Sequence, residues 1–470
     1  MSWSKKTVAG VAGASVAGIV LARKAWNDAE RKRRNGAIRG AQRVAILGAG
    51  FGGLSVAREL ARLLPEQELG EITLIDQHNY LLFTPMLTEV AGGELDARHI
   101  IASPRRLSPR IGFEQATVQS VDLKQKRVTV TRGGDAGARM IQADHIVIAL
   151  GSVPNYHNVP GLQEHSLGMK SVGEAAAIRS RVLACLERAS DEEDASTRRA
   201  LLTFVVGGGG YTGVETMAAV NDLARDTAKE YPRIQAGDIS CVIVEPRDRL
   251  LEELSPDLAA YAQKKLKQRG VEVILRTKIA GAGDNSIKLE NGREIATRTV
   301  IWAGGIKPSP LVEKLDCERG HHGGVVVDEH CAVKNYKGVW ALGDCAEVPK
   351  AGAQGTHAPT AQNATREGAL VARNIVAAMR GDPLQPFRFN PIGELALVGR
   401  HSGVAKLYGY HFSGFLAWAL WRAIYLSKMP GMSKRSRIAL DWILDFVYGR
   451  QVTEFPSEEP VLRPAQHQLG

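Results

Sequence analysis

Cysteine is scarce in this 470-residue chain, which holds five: Cys185, Cys241, Cys317, Cys331 and Cys345. No two form a CxxC pair, which excludes a zinc framework and a vicinal redox disulfide. A sparse, odd set fits a reducing compartment. Long apolar runs are missing as well. Val8 to Ala22 and residues 413–428 both fall short of the twenty or so apolar residues that a membrane-spanning helix needs. A series of spans with buried ionisable groups, as proton pumping would require, is therefore excluded. The body also lacks an excess of one charge. Of a formal +10, residues 1–43 carry ten Lys or Arg against Asp28 and Glu30, and residues 413–450 carry six against Asp441 and Asp445. The rest is near neutral, unlike the basic groove of a nucleic-acid reader. Basic, partly apolar ends point instead to anionic lipid at a membrane surface.

The N-terminal stretch Val8 to Ala22 would rise about 22 Å as a helix, short of a roughly 30 Å hydrocarbon core. It reads as a marginal anchor, an uncleaved signal-like segment or part of a targeting peptide, with a frayed terminus as the alternative. A polar basic linker follows, so the folded body is expected to start near Arg43.

That body contains an internal echo. RVAILGAGFGGLSVARELA runs from an apolar strand through a glycine turn at Gly48 into a helix, and LLTFVVGGGGYTGVETMAAV repeats this at Gly208. Each unit is followed by a strand ending in an acid, Asp76 or Glu245. The order of strand, GxGxxG, helix and acid is specific for a dinucleotide fold. Gly48, Gly50 and Gly53, with Phe51 and Gly52 between them, provide the tight turn, the approach of backbone to pyrophosphate and the close helix packing. Gly208, Gly210 and Gly213, with Tyr211, repeat those roles. Free amides at each helix N-terminus suit phosphate. An acid at Glu245 favours NADH over NADPH, although Arg247 and Arg249 nearby keep NADPH open.

Further strands end at Gly151, at Gly304-Gly305 and at Gly343-Asp344. The expected class is therefore α/β, two nested Rossmann-like units followed by a C-terminal helical region. The boundaries read as 1–41 for the extension, 42–155 and 325–385 for the first unit, 156–324 for the second, and 386–470 for membrane association. In residues 433–450, Ile438, Trp442, Ile443, Phe446 and Val447 make one helical stripe, with Arg437, Asp441 and Asp445 off it. Such helices suit a membrane interface, or packing against the protein or a second copy. Two nucleotide folds in one chain imply one resident and one exchanging nucleotide. A flavin fits the first, since it takes a hydride and releases electrons singly or in pairs.

LIDQHNYLLFTPMLTEVAGG (74–93) resembles the block after the FAD-ribose acid in type II NADH:quinone oxidoreductases. VGGGGYTGVE (206–215), WAGG (302–305), ALGDCAEV (341–348) and PTAQNATREG (359–368) are similar to the same family, as are the C-terminal helices. The likeness covers about residues 42–450 and leaves the N-terminal extension outside. It implies a tightly but non-covalently bound FAD, NADH as exchanging donor, a quinone as acceptor, and a peripheral enzyme that can dimerise. A bacterial inner membrane, on its cytoplasmic face, is favoured over a mitochondrial one. Asp344 would bond the flavin's ribityl chain and pyrimidine edge, Glu215 would position nicotinamide, and Ala361 and Gln362 would lie where quinone arrives. Arg366 stands where the family often has a second Gln, which puts the quinone type in question. Without the resemblance, the lesser alternatives are Asp344 as a helix cap, Glu215 as a first-turn acid, and Gln362 with Arg366 as a solvated face. Cys345 reads as a buried small residue, and the His321-His322 pair has no ligand company.

Two rivals follow from the same residues. A related flavoprotein reductase would use another acceptor, but a disulfide reductase needs paired cysteines by the flavin. A membrane scaffold or regulatory protein could bind NADH and FAD without turnover.

Overall fold

A computed structural model describes residues 42–450 and 453, apart from 70, 134–136, 353 and 390–392. The extension over 1–41, with its apolar Val8 to Ala22, lies outside the described residues. Strand β1 (Val44–Leu47) enters helix α1 (Phe51–Leu63) and returns as β2 (Ile72–Asp76). The short helix α2 (Leu87–Ala91) precedes β3 (Gly112–Gln115) and β4 (His145–Ile148). The chain then runs through α3 (Val172–Asp191), β5 (Thr203–Gly207), α4 (Tyr211–Thr227), β6 (Ser240–Glu245), α5 (Pro256–Gln268), β7 (Val271–Leu275) and β8 (Thr299–Trp302). It comes back as β9 (Val339–Ala341) and α6 (Ala361–Arg380).

Two parallel sheets result. The first has the order β9-β4-β1-β2-β3 and the second β7-β6-β5-β8. Every residue of β1, β4 and β5 is buried, as expected of parallel strands covered on both faces. The strand β9 joins the first sheet although it follows the whole second sheet in sequence, so the units are nested as expected. The outgoing and returning chains, Ser152–Pro154 and Ile306–Pro308, pair antiparallel between them.

The C-terminal region opens with an antiparallel sheet that the sequence reading did not contain: β10 (Gly393–Gly399), β11 (Ser402–Leu407) and β12 (Tyr410–Ser413). Helices α7 (Gly414–Lys428) and α8 (Met432–Tyr448) follow. Strand β10 packs on α4, and α7 packs on the sheet.

The expected stripe on α8 needs correction. Ile438, Trp442 and Asp445 face the protein, whereas Ile443, Phe446 and Val447 are exposed. Asp445 is tolerated inside because Arg400 lies 3.6 Å from it, and a buried charge is kept by a partner. Both helices are therefore two-faced, packed on one side and apolar toward solvent on the other.

Candidate functional site

The two glycine turns share one construction. Gly48 has φ +103° and Gly208 has φ +110°, values open to glycine. A side chain at Gly53 would meet Gly48 O at 1.9 Å, and one at Gly213 would meet Gly208 O at 1.8 Å, so each helix starts in contact with its own turn. Gly50 and Gly210, by contrast, have nothing within 4 Å of a would-be Cβ. That is the open ground a pyrophosphate needs. The acids clamp the turns. Ala49 N donates to Asp76 Oδ2 at 2.6 Å and His78 N to Oδ1 at 2.8 Å. Gly209 N donates to Glu245 Oε2 and Arg247 N to Oε1 at 3.0 Å. The echo in sequence thus extends to hydrogen bonds. Arg247 and Arg249 both engage Glu252, through its carboxylate and its carbonyl respectively.

The corner after β9 holds a second constellation. Gly343, at φ +70°, gives its N–H to Glu367 Oε2 at 2.8 Å. Burial pushes the Glu367 carboxyl up to about 7, helped by Asp344 and opposed by that N–H. Asp344 accepts from Ser152 Oγ at 2.6 Å. Thr360 caps α6 by accepting from Asn363 N at 3.2 Å, which sets Ala361 and Gln362 in the first turn. Gln362 Oε1 is buried with no partner. Arg366 donates back to Gln362 O at 3.0 Å, and its guanidinium lies 4.0 Å over the Phe389 ring. Helix α6 crosses α1 closely, since a side chain at Gly368 would meet Gly52 O at 2.4 Å. Cys345 is buried and its thiol is pushed up to about 12, so it serves as packing. Gly151, at φ +66°, has open space beside it, while Gly304 and Gly305 abut Trp302 and His157.

Glu215 lies on α4 but points to the C-terminal region. Its Oε1 accepts from Leu397 N at 2.9 Å and from Trp421 Nε1 at 3.0 Å. Burial pushes its carboxyl up to about 8, against both donors. Tyr211 is half-buried with its hydroxyl unpartnered. Aromatic rings connect the first unit to the C-terminal region along one path: Phe51 to Phe83 at 5.8 Å, Phe83 to Tyr425 at 6.3 Å, and Tyr425 to Trp421 at 4.6 Å. Beside it, Arg422 reaches Glu89 at 3.1 Å and Glu94 at 2.6 Å, sandwiched by the rings of Trp418 and Trp442. Arg450 reaches Glu94 at 2.7 Å. Burial raises the Glu89 carboxyl well above the usual range, against the pull of Arg422.

With this geometry in place, the likeness to known proteins can be stated. The pyridine nucleotide-disulphide oxidoreductase family matches residues 42–368. The NDH2 C-terminal domain matches residues 392–451. The chain belongs to that family, as a type II NADH dehydrogenase. Among similar curated proteins, the type II NADH:quinone oxidoreductase NdhA of Mycobacterium tuberculosis is 30% identical over 87% of this chain and 88% of its own length. A type II NADH:quinone oxidoreductase of Staphylococcus aureus is 26% identical over 79% of this chain and 91% of its own. The fold is also that of NDH2 from Plasmodium falciparum, solved with NADH, with a TM-score of 0.79 at 19% identity over 88% of this chain and all of that one.

For a type II NADH dehydrogenase, the residues present fit two nucleotides. Each turn offers open ground at its second glycine, an acid at the next strand's end, and helix-terminal amides. The unpartnered Gln362 Oε1 and the Asp344 corner are polar groups placed beyond the first turn. Several residues escaped the sequence reading. Glu367 lay inside a quoted motif but gave no sign that it would fold back under Gly343. Glu89 lay in the 74–93 block and Glu94 just past its end, and only their burial against Arg422 and Arg450 reveals them.

Proposed function

We propose that this protein oxidises NADH and reduces a quinone, with a flavin held between the two reactants. The observation that carries this reading is the pair of acid-clamped glycine turns in one chain that continues into the C-terminal domain of the type II enzymes. FAD, when bound, supplies the two-electron relay that lets a hydride donor and a quinone react in turn. Gly48, Gly50, Phe51, Gly52 and Gly53 would take its pyrophosphate and Asp76 its ribose. Gly151, Gly343 and Asp344 would hold its far end, with Ala361 and Gln362 beside it.

Gly208, Gly210, Tyr211 and Gly213 would take NADH, with Glu245 on its ribose and Gly304 and Gly305 bordering the nicotinamide. The engagement of Arg247 and Arg249 with Glu252 supports NADH over NADPH, because both cations are committed elsewhere. Glu215 keeps a buried proton near the nicotinamide end of α4 and orients Trp421 of the C-terminal region. Gln362 and Arg366 would bind the quinone carbonyls as donors. An Arg there, already stacked on Phe389, offers a fixed fork where a Gln would offer one amide.

The outer face of α7 and α8 supports residence in a membrane interface. Phe415, Leu416, Ile443, Phe446, Val447 and Tyr448 are all more than half exposed, an apolar patch too rich for an uncovered soluble surface. Lys434, Arg435 and Arg437 on α8 would meet anionic headgroups. No helix of the described residues is long and apolar enough to cross a membrane, so attachment would be peripheral, on the face that sees NADH.

The test is anaerobic flavin absorbance in purified protein, with NADH added first and a short-chain quinone second. Bleaching by NADH followed by recovery on quinone is expected. Flavin that bleaches and stays reduced would sink the quinone as acceptor, and flavin blind to NADH would favour a binding protein without turnover.

A further inference from the structure

Asp344 is reached by a lysine from the other unit. Lys170 Nζ lies 3.2 Å from Asp344 Oδ2 and 2.8 Å from Ser152 Oγ, and Ser152 Oγ donates to the same Oδ2. The three side chains come from three segments. Ser152 begins the crossing strand out of the first unit, Lys170 precedes α3 in the second, and Asp344 follows β9 on the way back.

The lysine's backbone is fixed. Lys170 N and Ser171 N both donate to Glu174 Oε2, at 2.9 and 2.7 Å, while Ser171 Oγ accepts from Glu174 N. This capping box anchors the start of α3. An isolated exposed ion pair would be worth little. Here the side chains are about one-third and one-fifth exposed, and a hydroxyl is shared between them. Both of these contacts to the Asp344 carboxylate fall on Oδ2, on the side of the crossing strand.

We propose that Lys170 is a positioning residue for the flavin: it turns the Asp344 carboxylate and offsets its charge, setting the reduction potential of the bound cofactor. The inference rests on the reading that Asp344 faces the flavin. A carboxylate beside a group that gains electrons opposes the gain, and a cation about 3 Å from that carboxylate cancels much of the opposition. Ser152 extends the same clamp, since its hydroxyl donates to the oxygen that Lys170 holds.

The experiment is an equilibrium redox titration of the flavin-loaded protein against a reference dye, with flavin content measured on each sample. Lys170→Met is expected to make the reduction equilibrium at least about tenfold less favourable, about 30 mV downward for a two-electron couple. Lys170→Arg should restore the wild-type potential. Ser152→Ala should move it down by less, and it serves as the second variant if Lys170→Met does not fold. Asp344→Asn should move it upward. A potential unchanged in Lys170→Met and Ser152→Ala, with Asp344→Asn shifted, would overturn the role of Lys170. Flavin content and potential both unchanged in Asp344→Asn would instead overturn the placement of Asp344 at the flavin. A merely structural lysine would lower flavin content without shifts of opposite sign in the two charge variants.

Discussion

The Trp421 indole donates a hydrogen bond to the Glu215 carboxyl at 3.0 Å, joining α4 of the second nucleotide unit to helix α7. The same oxygen accepts from Leu397 N in β10. Glu215→Ala should leave two donors without an acceptor, at a cost of about 1–3 kcal/mol each. Glu215→Gln keeps an oxygen in place and should cost much less. Urea unfolding of the two variants checks the difference, and equal losses would mean that the bonds contribute little.

The pH dependence follows from the same residue. Its carboxyl is raised from an ordinary 4.5 to about 8, so between those values the folded state holds a proton that the unfolded state has lost. The contribution to stability is whole below about 4.5 and falls as pH rises through about 8. Relative to Glu215→Gln, the wild type should therefore lose unfolding free energy from pH 5 to pH 8, a range chosen to span that titration. A parallel pair of stability curves would contradict this.

Arg422 is one of two cations in a nearly dry cluster, with Glu89 and Glu94 both within 3.1 Å of it and Arg450 also on Glu94. Breaking one partner of a buried pair costs about 3–5 kcal/mol because the remaining charge is stranded. Arg422→Met should lower stability by that amount and expose the segment after β12 to protease. The double variant Arg422→Met with Glu89→Gln should recover part of the loss.

Gly50 and Gly53 separate binding from folding. Gly53→Ala would put a methyl 1.9 Å from Gly48 O, so soluble yield should collapse. Gly50→Ala meets nothing within 4 Å and should fold normally. It should lose flavin affinity by about tenfold or more, the worth of one charge-assisted hydrogen bond. Flavin stoichiometry after dialysis distinguishes the two, and full flavin retention by Gly50→Ala would exclude a phosphate at that turn.

Phe446 is 70% exposed on α8. Phe446→Glu, combined with Phe415→Glu, should abolish sedimentation with anionic vesicles while NADH still bleaches the flavin. Unchanged sedimentation would place the membrane contact elsewhere.

The glycine turns were legible in sequence because their cause is local: a backbone at positive φ and a helix start touching its own turn need glycine whatever surrounds them. The acids Asp76 and Glu245 were legible for the same reason, each one strand away. Glu215 was legible as a residue and not as an arrangement, since its partners Leu397 and Trp421 lie 182 and 206 positions on. Asp445 was misplaced because periodicity scores an acid as outward, and Arg400, brought in by the β10–β11 turn, joins Arg450 and Arg422 in making its burial tolerable. That turn was missed for want of Gly or Pro at its tip: it is made by Arg400 and His401, with His401 at φ +58°.

Helices α7 and α8 carry their ion pairs, Trp421 and Trp442 inward and Phe415, Phe446 and Tyr448 outward on the same few turns. Whatever surface grips the rings therefore grips the catalytic body directly, at a standoff set by side-chain length. Held through these two helices, the molecule would land and take up a definite tilt in one event.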